Sequence, residues 1–267
     1  MRVALYQMQA ALGAVEANLA KIEMAASAAS AMGATLLVTP EMSIPGYALD
    51  AQTSRYGEPA DGASIQRLKA IAAAKNMALV AGFAEAADGV IYNSAVLVRA
   101  DGTTEIYRKC HLYGDLERRA FRASDAPAAV FEIGGMKAAM VICYDVEFPE
   151  HVRAAALAGA ELLIVPTALA ASMANRVIPD KVVPVRALEN QLFVIYADLT
   201  GSDGVFDYEG HSVICSPDGG HLARAGQGEA LLVADLDRSL YSAAMAELPY
   251  LAERRPELYA AVVQPVK

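Results

Sequence analysis

The sequence is short of cysteine, of long apolar runs and of basic residues. Its three cysteines, Cys110, Cys143 and Cys215, are an odd number and lie far apart, which argues against a disulfide framework and predicts a reducing, cytoplasmic setting. No uninterrupted apolar run approaches the roughly 20 residues that span a bilayer. The apolar stretch at the N-terminus has only the length of a strand, so we expect neither a signal peptide nor a membrane partner.

The charge balance and the missing motifs exclude further classes of protein. Lys and Arg number 22 against 31 Asp and Glu, which gives a net charge of −9 and a pI near 5.0. An acidic chain of this kind is a poor candidate for binding nucleic acid through its phosphates. The spacings CxxC, HxxxH and HExxH are absent, and so are GxGxxG and the P-loop, so neither a zinc site nor a nucleotide site has support.

The chain does contain enough apolar sequence for a large core. Of its 267 residues 55% are hydrophobic and 20% are charged, and the mean hydropathy is +0.28. A chain of this length needs no disulfide or metal to fold. No linker, charge block or biased stretch divides it, and we therefore predict a single domain over residues 1–267.

Apolar runs of strand length alternate with Ala-rich amphipathic segments, which predicts the α/β class. Helices are predicted over Val15–Ala31, Ala63–Lys75, Pro149–Ala158 and Asp180–Asn190. Strands are predicted over Val3–Met8, Ala34–Thr39, Ala78–Ala84, Ile91–Arg99, Lys137–Cys143, Glu161–Val165, Phe193–Leu199, His211–Cys215 and Leu231–Ala234. The Asp88-Gly89 pair suits a hairpin turn between the strands predicted over Ala78–Ala84 and Ile91–Arg99.

Two segments of the chain are similar in sequence. The run from Gly33 to Glu41 resembles the run from Gly159 to Thr167, and each follows an Ala-rich helix. Two similar halves would suit two sheets packed face to face with helices outside. The alternative is that helix–Gly–Ala–strand junctions are simply common in α/β proteins.

Three strand ends carry chemically capable side chains, and strand ends in α/β folds face the crevice where ligands bind. Glu41 follows an apolar strand, and burial would raise its pKa towards that of a general base. Lys109 lies in the basic run Tyr107–Leu112 and could stabilise an anion. Cys143 closes an apolar strand before a helix that begins at Pro149, as the nucleophile does in hydrolase elbows. Taken singly, each also fits a structural role: a solvated loop glutamate, a surface basic patch and a buried inert cysteine.

Together the three ends resemble the Glu–Lys–Cys triad of the nitrilase, or carbon–nitrogen hydrolase, superfamily. A second glutamate of that family stands eight residues after the lysine, which here is Glu117. The resemblance extends over nearly the whole chain and includes Ala4-Leu5-Tyr6-Gln7, Pro45-Gly46-Tyr47, Tyr92-Asn93-Ser94, Tyr107-Arg108-Lys109, Cys143-Tyr144-Asp145, Phe148-Pro149-Glu150, Pro166-Thr167, Arg186-Ala187-Leu188-Glu189-Asn190 and Gly210-His211-Ser212.

The resemblance implies a four-layer αββα sandwich, usually a homodimer through helices near the nucleophile. It also implies hydrolysis of a non-peptide C–N bond without metal or organic cofactor. Glu41 would deprotonate Cys143, whose thiolate attacks the amide carbon to give a thioester. Lys109 and the backbone N–H of Tyr144 would hold the oxyanion, and Glu117 would position Lys109 or the substrate.

The loop after Cys143 looks most like that of bacterial amidases acting on ω-amino amides, such as 5-aminopentanamidase, and of stereoselective amidases. We therefore expect a small aliphatic or ω-amino amide as the substrate. An N-carbamoyl amine or a nitrile is the alternative, and a non-catalytic scaffold on the same fold is a remote one.

Four further side chains are candidates for the substrate pocket. Tyr47 and Tyr113 could line it, although tyrosines at strand ends often serve packing alone. Glu147 or Asp207 could pair with a substrate ammonium. The alternative for Glu147 is an internal salt bridge with Arg186 on a later helix.

Overall fold

The computed structural model describes residues 1–264, which form an alternating series of strands and helices. The strands are β1 (Arg2–Gln7), β2 (Leu36–Val38), β3 (Ala78–Ala87), β4 (Val90–Val98), β5 (Thr104–Arg108), β6 (Val130–Ile133), β7 (Met136–Met140), β8 (Leu162–Thr167), β9 (Phe193–Asp198), β10 (Thr200–Ser202), β11 (Asp207–Glu209), β12 (Val213–Cys215), β13 (His221–Arg224) and β14 (Ala230–Asp235). The helices are α1 (Val15–Ala31), α2 (Ala63–Lys75), α3 (Gly114–Ala120), α4 (Pro149–Leu157), α5 (Val183–Asn190) and α6 (Arg238–Glu247).

Two six-stranded sheets have the same order and the same strand directions. The first runs β14-β1-β2-β3-β4-β5 and the second β6-β7-β8-β9-β12-β13. In each sheet the second, third and fourth strands are parallel and every other neighbouring pair is antiparallel. β2 and β8, which lie in the two similar segments 33–41 and 159–167, occupy equivalent positions. The sequence similarity of these segments therefore reflects two structurally similar halves.

The two sheets pack face to face with helices outside, so the predicted αββα sandwich is confirmed. In the first sheet, alternate residues such as Leu5 and Val38 face the second sheet, whereas Ala4 and Leu37 face α1 and α2. The helices α4 and α5 cover the outer face of the second sheet through buried residues such as Val152. None of the described helices is long and apolar enough to cross a membrane.

The sequence pattern located the long elements well and the short polar ones poorly. The bounds of α1 and α2 and the turn at Asp88-Gly89 are as predicted, and both turn residues have the positive φ that such a hairpin needs. The predicted helix over 180–190 begins instead with a π turn, Ile178–Val182, because prolines at 179 and 184 interrupt regular hydrogen bonding. The predicted strands over 34–39 and 137–143 end earlier, since the chain turns out of the ladder before Glu41 and Cys143.

One glycine of β3 permits a backbone contact beneath the first of these turns. A Cβ atom on Gly82 would lie 2.2 Å from the Met42 nitrogen and 2.8 Å from the Glu41 Cα atom. The Gly82 N–H also donates to the Ser43 hydroxyl, and its carbonyl accepts from the Ile44 N–H. Any side chain at this position would therefore displace the turn that carries Glu41.

We expect Gly82→Ala to lower the free energy of unfolding by about 1–3 kcal/mol, because the added methyl group overpacks a backbone contact. Urea unfolding measures the change. Gly226→Ala is the control, since a Cβ atom there meets no heavy atom within 4 Å, and a change below about 0.5 kcal/mol is expected. Equal stability of the two variants would contradict the close approach.

Candidate active site

Glu41 lies fully buried in the turn that follows β2. Its Oε1 atom accepts hydrogen bonds from the Asn93 amide at 2.6 Å and from the Lys109 ammonium at 2.8 Å, whereas Oε2 has no partner among the described residues. Burial raises the pKa of Glu41 to about 7, with Lys109 opposing the shift and Glu117 adding to it. The carboxyl group can therefore gain or lose a proton near neutral pH.

Lys109 follows β5, and its ammonium is fully buried between two carboxylates. The Nζ atom lies 2.8 Å from Glu41 Oε1 and 2.6 Å from Glu117 Oε1. Burial alone would lower the pKa of Lys109, but Glu117 and Glu41 raise it well above its usual value. Lys109 is thus a permanent cation in an interior site.

Glu117 is brought to Lys109 by the short helix α3, which the sequence pattern did not predict. Its Oε1 atom also accepts the Tyr47 hydroxyl at 2.6 Å, and its Oε2 atom accepts the Tyr113 N–H at 2.8 Å. Asn93 adds a second constraint, since its backbone carbonyl accepts the Lys109 N–H at 2.9 Å while its side chain holds Glu41. Glu41 and Glu117 therefore hold the ammonium, while Asn93 holds the Lys109 backbone and the Glu41 carboxylate.

Cys143 lies in a tight turn between β7 and α4, as the sequence predicts for a nucleophile elbow. Its φ of +45° is a conformation that non-glycine residues rarely adopt. Asp145 stabilises this turn, because its carboxylate accepts the Ile142 N–H at 3.0 Å. The same carboxylate accepts the Tyr107 hydroxyl and the His111 N–H, both at 2.8 Å. Asp145 thus ties the Cys143 turn to the residues on either side of Lys109.

The Cys143 thiol is enclosed, and several groups act on its protonation. Burial raises its pKa well above the usual value, Glu41 raises it further, and Lys109 opposes the shift. The backbone N–H of Ala168 also lowers the pKa of the thiol and so favours the thiolate. Because the resting thiol is protonated, a base must remove its proton when it reacts. Glu41 is close enough to influence this pKa and has the appropriate pKa itself.

A cavity of about 500 Å³ opens onto Cys143. Tyr47, Tyr113, Tyr144 and Glu147 line it together with Ala168, Leu169, Asn175, Ile178 and Phe206. A second cavity of about 450 Å³ beside β5 is lined by residues such as Glu85 and Arg108 and contains none of Glu41, Lys109 and Cys143. The first cavity is therefore the candidate substrate site. The described residues hold no cluster of ligands suited to a metal ion.

The structure separates the two acidic candidates for binding an ammonium group. Glu147 lines the cavity, and burial raises its pKa while Lys109 and Arg186 oppose the shift. The alternative prediction, a salt bridge between Glu147 and Arg186, is wrong. The Arg186 guanidinium donates to the Glu147 backbone carbonyl and forms its salt bridge with the Glu189 carboxylate. Asp207 is exposed and lies outside the cavity lining, since alternation along β11 turns Tyr208 inward instead.

Sequence reasoning assigned no role to Asn93, Asp145 or Ala168. The signal for Asn93 was a polar residue within an otherwise apolar strand, and for Asp145 a carboxylate two positions after the cysteine. Ala168 contributes only its backbone N–H, which no side-chain pattern reveals. His111 bonds to Asp145 at 2.7 Å and stacks on Phe148 with 4.0 Å between ring centroids.

We predict that alkylation of Cys143 by iodoacetamide will accelerate about tenfold per pH unit up to about pH 7 and then level off, because Glu41 must be ionised to accept the thiol proton. Peptide mass spectrometry measures the rate at each cysteine. Cys110, a half-buried thiol whose pKa burial also raises, is the internal control, and its rate should continue to rise above about pH 9.

In Glu41→Gln the plateau of the Cys143 rate should disappear, and alkylation at pH 7 should become slower. A wild-type profile in this variant would show that Glu41 is not the base.

Comparison with known proteins agrees with this site. The family model described as carbon-nitrogen hydrolase matches residues 2–245. A protein named as a hydrolase in the pqqF 5′ region of Pseudomonas protegens is 42% identical over 262 residues, which are 97% of this chain and 90% of that protein. An (R)-stereoselective amidase from Pseudomonas sp. is 35% identical over 257 residues, or 96% of this chain and 92% of that protein.

A solved structure of an amidase from Nesterenkonia sp. AN1 has a TM-score of 0.86 and 36% identity to this chain, covering 98% of it and 100% of the amidase. That structure is of a glutamate-to-glutamine mutant of the amidase and shows the result of Michael addition of acrylamide at its active-site cysteine. With the family model matched over most of its length and amidases among its relatives, the present chain belongs to the carbon–nitrogen hydrolase family, the nitrilase superfamily, and is a hydrolase of non-peptide C–N bonds.

Proposed function

We propose that this enzyme hydrolyses small aliphatic amides, with an ω-amino amide such as 5-aminopentanamide as the preferred substrate. The main support for this proposal is the arrangement around Cys143. Glu41 and the Lys109 ammonium are 2.8 Å apart and fully buried, and both influence the pKa of the Cys143 thiol. Cys143 lines a cavity that also contains the Glu147 carboxylate. The cavity is large enough for a chain of a few carbon atoms.

In the first half of the reaction Glu41 takes the thiol proton as the Cys143 sulfur attacks the amide carbon. The C–S bond forms, the carbonyl π electrons move to oxygen, and Lys109 and the Tyr144 N–H stabilise that oxyanion. No other described residue accepts a hydrogen bond from the Tyr144 N–H, which leaves this donor for the substrate. The C–N bond then breaks, and the leaving nitrogen takes the proton from Glu41 to depart as ammonia.

In the second half water attacks the thioester carbon, and Glu41 accepts one of its protons. A second oxyanion forms in the same position, the C–S bond breaks, and the proton returns from Glu41 to the sulfur. The product is a carboxylic acid, which gives its proton to the released ammonia or to water and leaves as a carboxylate, and the enzyme regains its thiol. A carboxyl group with a pKa of about 7 suits both directions of proton transfer at neutral pH.

Glu147 supports the preference for an amino group. Its carboxylate lines the cavity that contains Cys143, and neither Arg186 nor another described residue pairs with it as a salt bridge. A substrate ammonium would compensate the partial burial that raises the pKa of Glu147. Tyr47, Tyr113 and Tyr144 line the same cavity and offer it aromatic surface on which methylene groups can pack. The homodimer and the cytoplasmic location stay predictions.

At neutral pH we expect fast ammonia release from 5-aminopentanamide, slower release from pentanamide, and little from a carbamoyl amine or a nitrile. Cys143→Ala should release none, because the thioester cannot form. A coupled ammonia assay measures all four. Dominant hydrolysis of the carbamoyl amine or the nitrile would replace the proposed substrate class while keeping the same catalytic groups.

Glu147→Gln should lower kcat/KM for 5-aminopentanamide on the order of 10- to 100-fold, as expected for losing a hydrogen bond to a charged group. Activity on pentanamide should change less than about threefold, because that substrate carries no charge. Asp115→Asn is the matched control: it removes a carboxylate from the same cavity, but the Asp115 side chain is 86% exposed and should contribute little. An unchanged preference in Glu147→Gln would rule out this ammonium partner.

A further inference from the structure

The reaction above leaves one buried carboxyl group near the site without a role. Asp198 ends β9 and is fully buried. Its Oδ1 atom accepts the Leu169 N–H at 2.8 Å, whereas its Oδ2 atom has no partner among residues 1–264. Its own N–H donates to the Ser212 hydroxyl at 2.9 Å. The side chain thus faces the segment that borders the cavity and not the solvent.

The groups that face Asp198 favour its neutral form. Glu41 and Glu209 are the carboxylates that act on it, and the hydroxyl groups of Tyr196 and Tyr208 lie in the same region. No described Lys or Arg forms a salt bridge with it. Burial raises its pKa well above the usual value, and the backbone N–H groups of Leu169 and Leu199 oppose the shift only in part. A buried charge with one unpartnered oxygen would cost more than a neutral acid.

The residue that Asp198 holds lies next to the cavity wall beside the sulfur. Leu169 follows Ala168, whose backbone N–H lowers the pKa of the Cys143 thiol, and Ala168, Leu169 and Cys143 line the same cavity. On its other side the Leu169 carbonyl accepts the Glu209 N–H at 2.8 Å. Asp198 and the Glu209 backbone therefore fix the Leu169 peptide groups from two sides, which positions the Ala168 N–H that acts on the sulfur.

We propose that Asp198 is a positioning residue that works as a neutral carboxylic acid: it holds Leu169, and through it Ala168, against the Cys143 sulfur without adding a negative charge beside Glu41. This inference rests on the proposed role of Cys143 as nucleophile. It explains why a carboxyl group is tolerated at full burial so near another one. The negative charge of an ionised Asp198 would disfavour the ionised forms of both Glu41 and Cys143.

The proton on Asp198 can be tested without any substrate. Asp198→Asn keeps the shape and the acceptor for Leu169 but cannot ionise. If folded Asp198 holds its proton, the unfolding constant of the wild type relative to that of Asp198→Asn should rise about tenfold per pH unit between about pH 5 and 7, because the unfolded chain has already released that proton. A ratio that is flat with pH in urea unfolding would show that Asp198 is ionised when folded and would overturn the proposal.

The positioning role is tested by the rate of Cys143 alkylation by iodoacetamide at pH 7. Asp198→Ala removes the acceptor for Leu169 and should slow alkylation on the order of 10- to 100-fold, whereas Asp198→Asn should stay within about threefold of wild type. Val194→Ala is the matched control, since it also truncates a fully buried side chain of β9 but lies outside the cavity lining. Equal slowing by Val194→Ala, or none by Asp198→Ala, would refute the role.

Both measurements are independent of amide turnover. If the wild type hydrolyses none of the proposed amides but the alkylation and unfolding results are as expected, the substrate assignment fails and the role of Asp198 stands. If Asp198→Ala does not fold, the comparison of Asp198→Asn with wild type still decides the protonation state.

Discussion

The buried ammonium of Lys109 is the constraint on which the site depends. An isolated charge cannot remain in an apolar interior, so carboxylates must reach it in every folded molecule. Glu41 and Glu117 meet this need at 2.8 and 2.6 Å. Each comes from a different element, the turn after β2 and the helix α3. The requirement to compensate one cation therefore fixes the relative positions of three segments that are distant in sequence.

The two similar halves of the sandwich make this convergence possible. β2 and β8 hold equivalent places in the two sheets, and the chain leaves both at the edge where Cys143 turns out of β7. Glu41 thus belongs to one sheet and Cys143 to the other. Asp145 links them further, because its carboxylate bonds to the backbone before Cys143 and to groups on both sides of Lys109. The sheets cannot shift against each other without breaking this set of hydrogen bonds.

The interior contains more acidic groups than one cation can compensate, and their protonation follows from that imbalance. Glu117 accepts hydrogen bonds from Lys109, a tyrosine hydroxyl and a backbone N–H. Glu41 shares the same ammonium and has a pKa of about 7. Burial raises the pKa of the Asp198 carboxyl well above its usual value, and it has no such partner. Of these buried carboxyl groups, Glu41 is therefore the one whose pKa suits proton exchange at neutral pH.

Apolar periodicity in the sequence determined the long elements, whereas the resemblance to the nitrilase superfamily predicted the four-layer architecture and grouped Glu41, Lys109, Glu117 and Cys143 as one set. Helices α1 and α2 are amphipathic over several turns, so their apolar period fixes them locally, and the motif residues follow strands whose ends must face a crevice. Helix α3 was missed because its seven residues are mostly polar and are ordered by the bonds of Glu117 rather than by a periodic apolar face.

Only the tertiary structure decided which acidic residue enters the cavity, which backbone N–H acts on the sulfur and which buried carboxyl group has no cation beside it. Glu147 and Asp207 look equally suitable in the sequence, yet one lines the cavity and the other faces solvent. The physical reason is that burial and pairing are properties of the surroundings of a side chain. Those surroundings are assembled from segments far apart in the chain, and no local pattern contains them.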